Sequence, residues 1–199
     1  MVLLVALWLV AVGAGIWTLS RYAGAAGQPA AAPSIWPAAS EIARQPDRPT
    51  LLMFVHPQCS CSRASLESLA RLQAEVAGRS AAETVVMVAA ARSMGDDWTR
   101  GALWQQAAAI PGVRVVADLD GREAARFGAA TSGQSLLYGA DGHLLFSGGL
   151  TPARGHAGDS AGHAALRGLL LDQPAGDARA AVFGCPLHDR PDGAPAGAP

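Results

Sequence analysis

The sequence contains no lysine and no asparagine, and all 15 of its basic residues are arginine. The absence of lysine excludes a Schiff-base lysine and a P-loop lysine, and the absence of asparagine excludes an N-glycosylation site. Charged residues make up only 16% of the chain and the net charge is −1, so no basic surface is available to hold a nucleic-acid backbone. Nucleic acid is therefore not an expected partner.

Cysteine is also scarce, and several catalytic motifs are missing. Three cysteines in 199 residues are too few for a disulfide-stapled scaffold, so each must be interpreted individually. The sequence has no nucleophile elbow, metalloprotease motif or dinucleotide fingerprint, which argues against hydrolase and kinase classes. Half of the residues are hydrophobic, which is ample for the core of one domain.

The amino-terminal stretch predicts a membrane segment. Residues 2–19 have no charge, and about 20 apolar residues are enough for a helix to cross a bilayer. Trp17 and Arg21 match the interfacial belt at the end of such a helix. We therefore expect residues 1–22 to form a transmembrane signal-anchor. The alternative is a cleaved signal peptide, because Ala-Gly-Ala at 23–25 resembles a cleavage site.

Composition divides the rest of the chain into three parts. Residues 23–48 begin with a low-complexity run of alanine, glycine and proline, so they are interpreted as a linker. Residues 49–185 form the folded domain. Residues 186–199 contain four prolines and two glycines among polar residues, which predicts a disordered tail.

Within the domain, short apolar runs alternate with segments of helical period. The runs predict strands at 50–55, 84–89, 113–117, 135–138 and 143–147. The periodic segments predict helices at 62–77, 96–109, 121–127 and 164–171. A Gly-Ala-Asp-Gly turn at 139–142 predicts that the last two strands form a hairpin. The order β-α-β-α-β-α-β-β-α predicts an α/β fold with helices on both faces of a mixed sheet.

The most informative segment is FVHPQCSCSRAS, at residues 54–65. A buried strand leads into a turn that contains Cys59 and Cys61, and a helix follows at once. The macrodipole and the unpaired N–H groups at a helix N-terminus stabilise a thiolate, so cysteines placed there tend to be reactive. The alternative interpretation is two ordinary cysteines at the start of a helix.

These residues resemble the thioredoxin superfamily, specifically the membrane-anchored, extracytoplasmic TlpA-like branch. The resemblance covers about residues 49–171, and it includes the approach to the hairpin at 127–131 and the FSGG segment at 146–149. HPxCxCSRAS combined with TSGxxLLY and FSGG also resembles RedB-like proteins with a CxC motif. The resemblance implies a thioredoxin-like three-layer α/β/α sandwich with a mixed central sheet behind one transmembrane helix.

The resemblance also implies an activity, that of a thiol-disulfide oxidoreductase without a resident cofactor. Cys59 occupies the position of the nucleophile, and Cys61 would resolve the mixed disulfide. Cys185 is a further thiol that could relay the disulfide, although an inert thiol is the simplest interpretation of it. The expected partners are protein thiols or disulfides.

The sequence departs from the family pattern at two places. The redox motif is Cys-x-Cys rather than Cys-x-x-Cys. The substrate-facing loop, expected to comprise His56, Thr131 and Ser132, has Ser132 where the family has a cis-proline. A cis bond to a non-proline residue costs roughly 2.5–4 kcal/mol, so we expect a trans bond here.

The resemblance implies a single-pass protein of the bacterial inner membrane whose domain faces the periplasm. The charge pattern alone favours the opposite orientation, because Arg21, Arg44 and Arg48 all follow the helix and the positive-inside rule places such residues in the cytoplasm.

Two other functions compete with redox exchange. One is a metallochaperone-like copper or zinc site, since thiolates and imidazoles suit these soft metals; its candidate ligands are His56, Cys59, Cys61, Cys185 and His188. A loop at 154–163 with two histidines and an aspartate could also approach the cysteines, although a solvated loop is the simpler interpretation. The other function is that of a non-catalytic, membrane-anchored binding module.

Overall fold

Five strands and five helices lie along residues 1–91 and 99–187, the parts of the chain that the computed structural model describes. The helices are α1 (Val2–Gly24), α2 (Ser60–Val76), α3 (Ala102–Ala108), α4 (Arg122–Arg126) and α5 (Ala161–Leu170). The strands are β1 (Thr50–Val55), β2 (Glu83–Ala90), β3 (Val113–Leu119), β4 (Gln134–Tyr138) and β5 (Leu144–Gly148). The predicted order of strands and helices is confirmed.

The strands form one mixed sheet in the order β3-β2-β1-β4-β5. β1, β2 and β3 are parallel, β4 is antiparallel to β1, and β5 completes an antiparallel hairpin with β4. All six residues of the central strand β1 are buried, as its continuous apolar sequence predicts. The carboxyl end of β1 therefore emerges at the middle of the sheet edge and leads directly into the cysteine turn.

Each face of the sheet has its own core, which confirms the three-layer arrangement. Because side chains alternate along a strand, Leu51 and Met53 of β1 face one core while Leu52 and Phe54 face the other. Helices α2, α3 and α5 cover the first face with leucines and alanines. Helix α4 and the segment that contains Trp36 cover the second face.

Two of the predicted helix starts differ from the structure by three residues or more. Helix α5 begins at Ala161, three residues earlier than its apolar pattern predicts, because the Ser160 side chain caps it by accepting a hydrogen bond from the His163 N–H. Helix α3 begins at Ala102, and the stretch 96–98, where its start was predicted, lies outside the described residues.

Part of the stretch predicted as a linker packs along the domain. The Gly27 N–H donates to the Val182 carbonyl at 2.8 Å, and the Ala31 N–H donates to the Gly128 carbonyl at 3.1 Å. Further along, Trp36 packs edge-on against Phe127 in the second core. The composition of residues 23–48 does not predict these contacts, because the residues that they contact, Val182, Gly128 and Phe127, are distant in sequence.

Helix α1 is long and apolar enough to cross a membrane. The mean hydropathy of its most apolar 18-residue stretch is 2.4, and none of the helix residues is buried in the protein. Residues 1–22 therefore fit a single-pass anchor, and the same length and composition also fit a signal sequence.

Candidate active site

Cys59 and Cys61 lie at the junction between β1 and α2, as the sequence predicts. Cys59 is the residue immediately before the first turn of α2, and its carbonyl accepts a hydrogen bond of 3.0 Å from the Ser62 N–H. Its own N–H donates to the His56 carbonyl at 3.1 Å, which closes the turn. Both cysteine side chains are buried. The position at a helix N-terminus favours the thiolate form, as it does in reactive cysteines.

The third cysteine of the chain completes a cluster with these two. The Sγ atom of Cys185 lies 2.8 Å from that of Cys59. All three sulfur atoms, including that of Cys61, lie within 4.8 Å of one another. The three residues are free thiols in this structure. We refer to Cys59, Cys61 and Cys185 as the thiol cluster.

A short segment near the carboxyl end of the domain brings Cys185 to this position. Residues 184–187, which we call the strap, run antiparallel to residues 130–132. The Ser132 N–H donates to the Cys185 carbonyl at 2.8 Å, and the Leu187 N–H donates to the Ala130 carbonyl at 2.9 Å. The tail was predicted to begin at 186, but Leu187 is buried; residues 188–199 lie outside the described residues.

The three thiols have different tendencies to ionise. Burial raises the pKa of Cys59, but hydrogen bonds from Cys185 and Ser62 to its sulfur outweigh burial, and the net pKa is below its ordinary value. Burial and the nearby Cys59 charge raise the pKa of Cys61. Burial, together with the hydrogen bond to Cys59, raises the pKa of Cys185 to about 12. Cys59 is therefore the thiol of the cluster that ionises first.

This ordering predicts the pH dependence of alkylation. Only the thiolate reacts, so the rate of Cys59 modification by iodoacetamide should rise with pH and level off, with a midpoint below the ordinary thiol pKa of 9.0. Cys61 and Cys185 should react later and at higher pH. The measurement is site-resolved peptide mass spectrometry of the reduced full chain between pH 5 and 10. Ser62→Ala removes one hydrogen bond to the Cys59 sulfur and should raise the midpoint, whereas equal rates at the three cysteines would contradict the ordering.

The predicted substrate-facing loop contacts the turn that contains the cysteines. The described residues contain no cis peptide bond, so the bond between Thr131 and Ser132 is trans as predicted. The Ser132 side chain accepts a hydrogen bond of 2.9 Å from the His56 N–H and contacts the Ser62 hydroxyl at 2.6 Å. The Thr131 hydroxyl points away and donates to the Gln28 carbonyl at 2.8 Å. Ser132 thus ties the cysteine turn to the loop.

Sequence reasoning missed Arg154 as a member of the site. Its guanidinium donates to the Gly184 carbonyl in the strap at 2.6 Å and to the Ala25 carbonyl at 2.9 Å. Its positive charge opposes the burial that raises the pKa values of Cys61 and Cys185. No local motif marks this arginine, because its partners are distant in sequence.

The structure brings together only part of the predicted metal-ligand set. Among the described residues, the ligand atoms that cluster at this site are the three sulfurs, and His56 is not in the group. The His56 ring Nδ1 instead accepts a hydrogen bond from the Gln58 N–H at 3.3 Å. His188 lies outside the described residues.

The loop at 154–163 approaches the cluster through Arg154 and not through its acidic or imidazole groups. Asp159 forms an ion pair with Arg71, and His163 is buried against Glu75 at 3.2 Å. These two side chains therefore belong to a separate polar network beside α2.

Comparisons with known proteins agree on the fold. No protein-family model matches the chain, and no curated protein matches it. A hypothetical protein from Sinorhizobium meliloti is 20% identical, with a TM-score of 0.59 over 82% of this chain and 93% of the other. An uncharacterized conserved protein from Geobacillus kaustophilus is 17% identical, with a TM-score of 0.60 over 84% of this chain and 94% of the other.

A third match is to the thioredoxin domain of a thiol-disulfide oxidoreductase from Bacteroides vulgatus. It is 11% identical, with a TM-score of 0.42 over 62% of this chain and 87% of that domain, which is too low to transfer a function. The fold is thioredoxin-like. This confirms the predicted architecture, whereas membership of the thioredoxin superfamily and of its membrane-anchored TlpA-like or RedB-like branch stays a prediction. In this thioredoxin-like domain the Cys-x-Cys pair lies at the start of α2.

Proposed function

We propose that this chain exchanges thiols and disulfides with partner proteins through Cys59. The observation that supports this function best is the thiol cluster itself. A cysteine at a helix N-terminus has a lowered pKa and has two further thiols within 4.8 Å of its sulfur. A structural cysteine needs neither a stabilised thiolate nor neighbouring thiols, whereas an exchange site needs both.

The chemistry follows from the difference between the thiols. The Cys59 thiolate attacks one sulfur of a partner disulfide, forms a mixed disulfide and releases the first partner thiol. A second thiol of the chain then attacks the Cys59 sulfur and releases the second partner thiol. The family resemblance assigns this second step to Cys61. The hydrogen bonds that stabilise the Cys59 thiolate also make Cys59 a good leaving group in the reverse reaction.

A partner can reach Cys59 through a groove between α2 and α3. The walls of this open groove include Gln58, Arg63 and Leu103, and its floor reaches Cys59. It has both apolar and charged walls, which suits an extended segment of a partner protein. We propose protein disulfides, and not small metabolites, as the substrates for this reason.

A turnover assay tests the proposed function. The full chain in detergent micelles should accelerate the reduction of a protein disulfide by dithiothreitol, measured as the rate of insulin aggregation. The matched control is a chain in which all three cysteines are alkylated beforehand. Equal rates with the native and the alkylated chain would contradict the proposal and would favour a non-catalytic binding module.

We further propose that α1 is an uncleaved anchor and that the domain faces the periplasm. The Arg154 guanidinium packs on the Tyr22 ring, and the Arg154 N–H donates to the Ala23 carbonyl at 2.9 Å, so the end of the helix is joined to the domain. Cleavage at 23–25 would remove the contacts at Tyr22 and Ala23.

The proposed anchor predicts the mass and the accessibility of the membrane-bound protein. After expression in a bacterium, the intact mass of the membrane-extracted chain should include residues 1–24. Proteinase added to spheroplasts should degrade the domain, because it lies outside the cytoplasm. A mature chain that begins near residue 26 would contradict the anchor, and a domain protected until the spheroplasts are lysed would contradict the orientation.

A second candidate function is soft-metal binding, which the three converging sulfurs favour. Thiolates suit Cu(I) and zinc. The raised pKa values of Cys61 and Cys185 favour their protonated forms, and the positive charge of a bound cation would stabilise their thiolate forms instead. The reduced full chain, titrated with Cu(I) against a competing chelator, should then bind one equivalent. Ser60→Ala should bind as the native chain does and Cys185→Ser should bind more weakly. Equal affinity of the native chain and Cys185→Ser would exclude the cluster as the metal site.

A further inference from the structure

We propose that Cys185, and not Cys61, is the thiol that resolves the mixed disulfide on Cys59. This inference rests on the proposed exchange function and changes the residue that carries out its second step. The internal disulfide would then join the start of α2 to the strap, across 126 residues of sequence.

Geometry at the start of α2 favours Cys185 over Cys61. A disulfide requires the two side chains to point toward each other with a dihedral angle near 90° about the S–S bond. The Cys61 sulfur also lies within 4.8 Å of that of Cys59, but Cys61 is only two residues along the chain, in the first turn of α2, so a disulfide between the two would have to distort the turn that joins them. The hydrogen bond from the Ser62 N–H to the Cys59 carbonyl holds this turn in place. Cys185 approaches from a separate segment, and its sulfur already contacts that of Cys59 at 2.8 Å.

The strap is built to keep Cys185 at this position. Hydrogen bonds from Ser132 to Cys185 and from Leu187 to Ala130 flank the thiol on both sides. A Cβ atom at Gly184 would collide with the Ser132 carbonyl oxygen, so the strap approaches this closely only because residue 184 is glycine. The Arg154 guanidinium also donates a hydrogen bond of 2.6 Å to the Gly184 carbonyl. Because the strap holds the Cys185 thiol next to Cys59, the reaction between them does not require the loss of conformational entropy that ordering a flexible loop would cost.

The two steps balance in atoms and electrons. In the first, the Cys59 thiolate forms a bond to one sulfur of the partner disulfide, the partner S–S bond breaks, and the departing thiolate takes up a proton. In the second, Cys185 gives up its proton to solvent and its thiolate attacks the Cys59 sulfur, which releases the second partner thiol. The partner disulfide has then gained two electrons, and the chain contains a Cys59–Cys185 disulfide that an external dithiol reduces. The Cys61 thiol is unchanged throughout.

Tryptic mapping distinguishes the two possible disulfides. Trypsin cleaves this chain only after arginine, because the chain has no lysine, and it does not cleave at arginines 48 and 190, which precede proline. One tryptic peptide, 45–63, therefore contains both Cys59 and Cys61. Another, 180–199, contains Cys185. The reduced full chain in detergent is treated with oxidised glutathione, and the remaining thiols are blocked with N-ethylmaleimide before digestion. We expect peptide 45–63 to be cross-linked to 180–199, with one maleimide on Cys61. A disulfide within peptide 45–63 and a maleimide on Cys185 would overturn the inference.

Two variants distinguish a failure of this inference from a failure of the proposed exchange function. Cys61→Ser should still form the cross-link, and Cys185→Ser should accumulate the mixed disulfide of Cys59 with glutathione. Rapid closure of a Cys59–Cys61 disulfide in Cys185→Ser, at the rate of the native chain, would overturn the inference but leave the exchange function intact. If neither a mixed disulfide nor an internal one forms, the proposed function itself fails.

Alanine substitutions at two glycines test whether the strap positions Cys185, and they leave all three cysteines unchanged. Gly184→Ala should slow closure of the internal disulfide by on the order of 100-fold, because the added Cβ displaces Cys185 from Cys59. Gly176→Ala is the matched control, since its Cβ would meet only ordinary contact with Ala165 at 3.9 Å. Circular dichroism checks that both variants fold. Closure in Gly184→Ala as fast as in Gly176→Ala would overturn the role of the strap.

Discussion

Replacement of Cys59 by serine should lower the rate of protein-disulfide reduction by on the order of 1,000-fold or more, the scale seen when a catalytic nucleophile is removed. A serine hydroxyl does not ionise near neutral pH, so the variant has no thiolate at the start of α2. Neither remaining thiol can substitute for it, because burial raises the pKa values of both Cys61 and Cys185. The measurement is insulin reduction by the full chain at pH 7.

The matched control for this variant is Ser60→Ala, which changes the exposed neighbouring residue and leaves the thiol cluster intact. Its turnover should match that of the native chain within about twofold, and both variants should have native circular dichroism and melting temperatures. Turnover in Cys59→Ser near that of Ser60→Ala would show that Cys59 is not the nucleophile.

Replacement of Phe127 by alanine should destabilise the domain by about 3–5 kcal/mol, the usual cost of removing a buried aromatic ring. Phe127 is fully buried in the second core. Its ring centroid lies 4.9 Å from that of Trp36, 5.7 Å from Tyr138 and 5.9 Å from Phe54. The cavity would therefore loosen both the sheet face and the amino-terminal segment that covers it. For a domain of this size, the expected fall in melting temperature is roughly 6–20 °C.

Leu145→Ala is the control for Phe127→Ala, because Leu145 lies on β5 with 38% of its surface exposed. It should cost about 1 kcal/mol or less. Thermal melts of the full chain in detergent, followed by circular dichroism, compare the two. A Phe127→Ala melting temperature within 2 °C of that of Leu145→Ala would mean that the amino-terminal segment is not part of the cooperative core.

Local features of the sequence determined the fold class and the first half of the site. The six-residue apolar run of β1 predicts a strand buried on both faces, and the helical spacing after Cys61 predicts α2, because both patterns depend on neighbouring residues alone. Cys59 and Cys61 follow from the same local order of strand, turn and helix. The antiparallel hairpin follows from its turn residues, since the turn conformation depends on the glycines within it.

Only the tertiary structure decided what surrounds these two cysteines. Cys185 is 126 residues from Cys59, and the strap, the Arg154 contact and the packing of Trp36 likewise join segments that are distant in sequence. No spacing rule relates such segments, because their proximity depends on how the sheet stacks its layers and on backbone hydrogen bonds that any residue except proline can donate. The sequence by itself therefore determined which thiol lies at the helix start, whereas the folded chain decided which thiol lies against it.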